Sequence, residues 1–189
     1  MGRLEGRVAL ITGAGSGIGL AIAKRYAAES ATVVGYDLQE SDTWSDVEKA
    51  APGSFFRTGD VRDAAAQVSL VEECVEQFGR IDVLVNNAGL GNLASVEGVS
   101  MEDVKAVFET NVFGPLRTIQ AVLPAMRERR SGTIVNITSI SGRLVSGGHG
   151  IYGSSKYALE AISEGLAIET RKYGLRIIII EPGFISTPI

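Results

Sequence analysis

The chain has a single cysteine, Cys74, and a single histidine, His149. One thiol excludes an internal disulfide framework and a cysteine-based zinc cluster, and one imidazole excludes a histidine-rich metal site. Basic residues are not in excess either. The 18 lysines and arginines are outnumbered by 22 aspartates and glutamates, for a formal net charge of -4, so the basic stripe that a nucleic-acid backbone requires is missing. No apolar run approaches the roughly 20 residues that a membrane span needs. The opening Met1 to Arg7 lacks the apolar core and cleavage pattern of a secretory leader. These deficits predict a cytoplasmic chain with neither a nucleic-acid nor a membrane partner. What remains is 45% hydrophobic over 189 residues, enough for one domain, 1–189, with a substantial core.

Short β-branched runs alternate with longer segments of helical period, the pattern of βαβ units wound into a parallel sheet covered by helices on both faces. Strands are expected at Val8 to Thr12, Thr32 to Tyr36, Ser54 to Arg57, Val83 to Asn86, Thr133 to Thr138 and Arg176 to Ile180. Each is mostly apolar, as a doubly covered strand should be. Helices are expected near Gly17 to Glu29, Asp42 to Ala50, Asp63 to Phe78, Ser100 to Arg129 and Tyr152 to Tyr173. Pro115 and Pro124 interrupt the fourth, predicting a kink or shorter boundaries. No repeat, linker or low-complexity tract breaks the alternation. The fold class is therefore α/β, a Rossmann-type doubly wound parallel sheet in three α/β/α layers.

The first strand runs into Thr12-Gly13-Ala14-Gly15-Ser16-Gly17-Ile18-Gly19 and then directly into a helix. At such a turn, residues without a Cβ let backbone approach a pyrophosphate, and the helix N-terminus offers free N–H groups with a partial positive charge. The spacing of Gly13, Gly17 and Gly19, with an extra Gly15, is not the common G-x-G-x-x-G. Taken alone it also fits a merely tight strand-to-helix turn. Asp37 closes the second strand 18 residues after Gly19, near the offset of about 20 at which an acidic side chain accepts hydrogen bonds from the adenosine ribose. A 2'-phosphate there would meet the carboxylate, and neither Ser16 nor Leu38 supplies a cation to offset it. NAD is the expected cofactor and NADP the disfavoured one.

Tyr152-Gly153-Ser154-Ser155-Lys156 sets a phenol and an ammonium four residues apart, on one helix face and within reach of a shared ligand. Hydride transfer to a carbonyl leaves an alkoxide that needs a proton, so the chemistry needs an acid/base. A free phenol, titrating near 10, is too reluctant unless a fixed cation stabilises its anion. Lys156 is that cation. An isolated Tyr-x-x-x-Lys more often marks an ordinary helix with an aromatic inward and a lysine outward, and only its company changes the reading. Ser139 closes the fifth strand 13 residues before Tyr152. There its hydroxyl can reach a substrate oxygen, with Thr138 and Ser141 as competitors and loop capping as the plain alternative. In open α/β sheets the ligand crevice lies at the carboxyl ends of the strands, where Gly13, Asp37, Asn87 and Ser139 converge.

Six motifs in order now resemble the short-chain dehydrogenase/reductase family over essentially the whole chain. They are Thr12 to Gly19, Asp60-Val61, Asn86-Asn87-Ala88-Gly89, Asn111, Ser139 with Tyr152 and Lys156, and Pro182-Gly183-Phe184-Ile185-Ser186-Thr187. The resemblance implies strand order 3-2-1-4-5-6 and a catalytic set of Asn111, Ser139, Tyr152 and Lys156. By the same resemblance Gly13, Ser16, Gly17, Ile18 and Gly19 cradle the cofactor, with Asp37 and Leu38 at its ribose and Asp60 and Val61 at its adenine. Asn87, Ala88 and Gly89 line its centre. Tyr152 and Lys156 reach the nicotinamide ribose, Asn111 supports a water-mediated proton path behind the lysine, and Pro182, Gly183, Ile185 and Thr187 meet the carboxamide end. No metal is implied.

The family usually continues past Pro-Gly-x-x-x-Thr into a substrate-loop helix pair and a seventh strand. Their absence from this sequence predicts an incomplete C-terminal part, with Ile177 to Ile180 left as an apolar edge. The resemblance further implies a homodimer or homotetramer for the full-length protein. The expected activity is NAD-dependent hydride transfer with a secondary alcohol or ketone, with Leu93, Leu144 and His149 among its specificity residues. The alternatives are a catalytically weak dinucleotide-binding or sensing protein and an NADP-preferring carbonyl reductase. Nucleotide-sugar or methyl-transfer chemistry could use the glycine loop but needs no Tyr-x-x-x-Lys.

Overall fold

The computed structural model describes residues 2–185. Six parallel strands, β1 (Val8–Thr12), β2 (Thr32–Asp37), β3 (Phe55–Thr58), β4 (Val83–Asn86), β5 (Thr133–Ile137) and β6 (Arg176–Ile180), form one sheet in the order β3-β2-β1-β4-β5-β6. Central β1 is buried at every residue. Its side chains alternate faces with the period of two that a strand imposes. Ala9 and Ile11 join Val33, Val85, Val135 and Ile137 on one face, while Leu10 joins Val34, Leu84 and Ile134 on the other. The helices α1 (Gly17–Ala28) and α2 (Trp44–Ala50) cover the first face through Ala23, Ala27, Trp44 and Val47. The second face is covered by α3 (Ala64–Phe78), α5 (Gly114–Glu128) and α6 (Gly150–Thr170), through Leu70, Cys74, Ile119, Val122, Met126 and Leu166. Helix α4 (Met101–Phe108) precedes α5. The three layers and the strand order are those the sequence leads one to expect.

The helix starts follow local chemistry. Asp63 accepts the Ala66 N–H at 3.0 Å ahead of α3, and Ser100 accepts the Asp103 N–H at 3.0 Å ahead of α4, satisfying donors that a first turn leaves without intrahelical partners. One expected element is refined. The helical run expected over Ser100 to Arg129 is continuous from Met101 to Glu128, but a π turn over Glu109–Phe113 lies between α4 and α5, with right-handed helical backbone on both sides of it. Prolines do not cause the irregularity. Pro115 sits in the first turn of α5, where its missing N–H is not needed, and Pro124 lies inside α5 without ending it. The wide turn instead seats the fully buried Asn111 against the loop after β4.

Polar side chains cross the second face as a closed chain. Thr118 donates to Asn86 Oδ1 at 2.8 Å, Asn86 Nδ2 to Asn136 Oδ1 at 2.8 Å, and Asn136 Nδ2 to Ser163 Oγ at 2.7 Å. They tie α5, β4, β5 and α6 together. At the amino ends of the strands the buried Asp82 accepts the Val8 N–H at 3.0 Å and Arg7 at 3.1 Å, and pairs with Arg80. Strand β6 is an edge of the described sheet, with Ile177 to Ile179 only half buried, as expected for that segment. Ser186 and Thr187 lie outside the described residues.

Candidate active site

The carboxyl ends of the strands open into one cleft of about 580 Å³, within the range of small-molecule sites. Residues at the ends of all six strands, and from α6, converge on it. The β1–α1 turn contributes Gly13, Ser16, Gly17 and Ile18, and the end of β2 contributes Asp37 and Leu38. The turn after β3 brings Gly59, Asp60, Val61 and Arg62, and the loop after β4 brings Asn87 through Gly91. On the remaining side stand Ile137, Thr138 and Ser139 from β5, Tyr152 and Lys156 from α6, and Pro182, Gly183 and Ile185 after β6.

The glycine turn is built to keep side chains out. Gly13 has φ of 67°, and a Cβ there would lie 2.6 Å from Asn87 Nδ2, a left-handed conformation and a contact that only glycine accepts. Asn87 Nδ2 instead donates to the carbonyls of Gly13 at 3.0 Å and Thr12 at 3.2 Å. Gly19 does not line the cleft, contrary to the expectation for it. A Cβ on it would run into the Gly13 carbonyl, so its smallness lets α1 press against the turn. Ser16 precedes α1 without closing the first turn through its hydroxyl. The N–H groups of that turn are therefore left for a ligand.

Asp37 is held in place rather than left in solvent. Its Oδ2 accepts the Gly15 N–H at 2.9 Å and its Oδ1 the Leu38 N–H at 2.7 Å, which fixes a carboxylate beside the turn with lone pairs still open to the cleft. The Cβ-free cradle, the free helix N-terminus and this carboxylate fit a dinucleotide's pyrophosphate and adenosine ribose. Asp60 is bound by Arg62, whose Nε and guanidinium approach it at 2.6 to 3.0 Å. That hydrogen bonding holds the Asp60 carboxyl below its usual range. Arg62 was not singled out from sequence, because only the fold shows that a residue two past Asp60 turns into the cleft.

Lys156 is 4% exposed, and its Nζ donates to the Ile137 carbonyl at 3.0 Å and lies 5.7 Å from the centre of the Tyr152 ring. Burial pushes its ammonium down to about 8, while the Glu160 carboxylate opposes the shift. Ser139 is buried at the end of β5, and its hydroxyl accepts the Ser141 N–H at 3.1 Å. Its proton remains available to donate. Of the three hydroxyls weighed at this strand end, Thr138 donates to the Ile180 carbonyl at 3.0 Å, and only Ser139 and Thr138 line the cleft.

Asn111 lies behind this wall. Its Nδ2 donates to the Leu90 carbonyl at 2.9 Å and to Ser155 Oγ at 3.0 Å, and its Oδ1 accepts the Leu90 N–H at 2.7 Å. It thus pins the loop carrying Gly89 and Leu90, and joins that loop to α6 through the neighbour of Lys156. Leu90, Gly91, Thr110 and Ile137 also line the cleft, unforeseen because they carry no chemical signature and act by position. Among the described residues no cluster of metal-ligating side chains occurs, and no helix is long and apolar enough to cross a membrane.

Comparison with known proteins agrees with this geometry. The family model described as short chain dehydrogenase matches residues 7–189. An uncharacterized oxidoreductase of Methylorubrum extorquens is 39% identical over 191 residues, 99% of this chain and 76% of the relative. The 3-oxoacyl-[acyl-carrier-protein] reductase of Thermotoga maritima is 38% identical, over 99% of this chain and 77% of its own length. Among solved structures, a short-chain dehydrogenase from Streptomyces avermitilis superposes with a TM-score of 0.91 at 40% identity, over 96% of this chain and 67% of that one. Levodione reductase superposes with a TM-score of 0.93 at 35% identity, over 98% and 74%.

Proposed function

The chain belongs to the short-chain dehydrogenase family of oxidoreductases, and from that premise we propose that it transfers a hydride between NAD and a secondary alcohol or ketone. The observation that carries this reading is the single cleft in which Ser139, Tyr152 and Lys156 face the glycine turn and Asp37. Bound there, the nicotinamide supplies or accepts the hydride. Every other step belongs to the chain.

Tyr152 Oη holds the proton that the substrate oxygen gains on reduction or loses on oxidation. Lys156, fixed by the Ile137 carbonyl, keeps positive charge beside that phenol and so stabilises its anion. Ser139, oriented by the Ser141 N–H, donates to the substrate oxygen and holds it within reach of Tyr152. Asn111 acts at one remove by anchoring Leu90 and Ser155.

Asp37 favours NAD, since a 2'-phosphate would face an uncompensated carboxylate. Arg62, the one cation of the neighbouring turn that lines the cleft, is engaged by Asp60. Leu90 and Ile185 line the cleft and are exposed, and Leu93, Leu144 and Val145 are exposed a few residues beyond the lining residues Gly91 and Ser139, which supports a substrate with an apolar body. We further read residues 1–189 as one cytoplasmic domain that assembles as a homo-oligomer. An apolar groove between Val104, Phe108 and Phe113 supports the assembly.

The test is a fluorescence titration with NADH and NADPH, followed by a screen of secondary alcohols and ketones with the preferred cofactor. The reading expects NADH to bind at least about tenfold tighter, with turnover. Equal affinities would favour an NADP-tolerant reductase, and binding without turnover a sensing protein.

A further inference from the structure

Three carboxylates converge on one guanidinium just behind the catalytic wall. Arg143 donates to Glu160 Oε2 at 3.0 Å and Glu164 Oε1 at 3.2 Å through one terminal nitrogen, and to Glu181 Oε1 at 3.0 Å through Nε. Glu164 and Glu181 are solvated, with side chains 58% and 36% exposed, whereas Glu160 is 4% exposed. Its second oxygen, Oε1, is buried without a hydrogen-bond partner among the described residues. A carboxylate taken out of water on those terms costs stability, and a hydrophobic side chain would fill the space better. A use for the charge is therefore the question.

The positions of the partners answer it. Arg143 lies four residues after Ser139, Glu160 four after Lys156, and Glu181 immediately before Pro182. Each of the three segments that Arg143 joins thus carries part of the cleft wall. The turn over Ile140–Gly142 rests on Glu160, since a Cβ on Gly142 would lie 3.1 Å from its Cγ. Tyr157 adds a second link by donating to the Arg143 carbonyl. The Ile140 N–H closes the third side on the Pro182 carbonyl at 3.0 Å.

We propose that Arg143 and Glu160 are positioning residues for the hydride-transfer site: the pairing of solvent-facing Arg143 with buried Glu160 clamps the serine-bearing turn to the Tyr-Lys helix, and the Glu160 charge sustains the Lys156 ammonium one helical turn away. This rests on the oxidoreductase reading for its catalytic consequence but not for its electrostatic one. Among the described residues, the groups around Lys156 are Tyr152 and, one turn on, Glu160 from α6, the Ile137 carbonyl at the end of β5, and Gly89 from the β4 loop with Asn111 beside it. Of these only Tyr152 and Glu160 titrate. Those facing Glu160 are Arg143 and, through it, Glu164 and Glu181, with Lys156 along the helix. Removing the negative charge lowers the pH at which Lys156 loses its proton.

The experiment follows the lysine side-chain carbons by NMR across a pH titration of the unliganded chain. Only five lysines are present, so Lys156 is assigned by a Lys156→Met sample. Glu160→Gln should move its midpoint down by about one pH unit, an order-of-magnitude figure for one nearby charge, and Glu164→Gln should leave it in place. In the enzyme assay the alkaline fall of kcat/KM should move down with it, NADH affinity staying within about threefold. Glu160→Asp keeps the charge but shortens the strut, so kcat should drop several-fold with the Lys156 midpoint near that of the wild type.

An unmoved midpoint in Glu160→Gln would overturn the electrostatic half. Unchanged kcat in Glu160→Asp would overturn the clamp, and that variant carries the test if Glu160→Gln does not fold. A wild-type chain that turns over no alcohol while Lys156 still responds to Glu160 would refute the oxidoreductase reading and leave the electrostatic coupling standing.

Discussion

Asp82 and Lys156 are both buried charges, at opposite ends of the same sheet, and they are employed differently. Asp82, at the amino ends of the strands, is saturated by Arg7, Arg80 and the Val8 N–H. Lys156, at the carboxyl ends, has one hydrogen bond among the described residues, to the Ile137 carbonyl, and lines an open cleft. An ammonium can donate three. The contrast separates charge that closes a structure from charge held back for a ligand. Perturbed, under-used groups at strand carboxyl ends are where an α/β sheet concentrates function.

The comparison breaks if a change at the closed end reaches the cofactor. Asp82→Ala leaves two arginines and a buried N–H without their acceptor, and should lower the unfolding free energy by about 3 kcal/mol, measured by urea denaturation. NADH affinity in the folded protein should stay within about twofold. At the open end the pattern reverses. Asp37→Asn should change stability little, yet narrow the discrimination between NADH and NADPH from at least about tenfold toward parity, as read by parallel titrations. An undiminished preference would remove Asp37 from that role.

A further effect is a slope. In the fold the Lys156 ammonium gives up its proton near 8, whereas in the unfolded chain it keeps it to about 10.4. Below pH 8 the cost of burying the cation is fully present. Between those values the unfolded state binds more protons, so folding stability gains as pH rises. Lys156→Met lacks this gain. Its stability relative to the wild type should therefore decline from pH 8 to pH 10, and a difference that stays flat would mean the lysine is not buried as a cation.

Much of the sheet and of its open end was legible in the sequence, for separable reasons, whereas the Asp82 cluster at the closed end was not. Strands β1, β4 and β6 begin and end at the residues their apolar runs mark, because a doubly covered parallel strand leaves an uninterrupted hydrophobic signal. Gly13, Asp37, Ser139, Tyr152 and Lys156 announce themselves by residue type at fixed offsets, and all line the cleft. The π turn over Glu109–Phe113 left no such mark. It follows from contacts between Asn111 and the backbone of Leu90, 21 residues away, which no local period encodes. Gly19 was read as a cofactor contact, whereas its missing Cβ makes room for the Gly13 carbonyl. Both uses demand a glycine at the same place. The Arg143–Glu160 pair spans 17 residues and two elements, so each member reads alone as an ordinary surface charge.

The account stands on Tyr152 as the group that moves the proton, and the most direct test is a pair of measurements on Tyr152→Phe beside the wild type. One is NADH affinity by fluorescence, the other the rate of NAD reduction with the best alcohol found for the wild type. Removing an acid/base should cut turnover by about 10² to 10⁴-fold, while NADH affinity stays within a few fold. Turnover that survives the loss of the phenol would contradict the account.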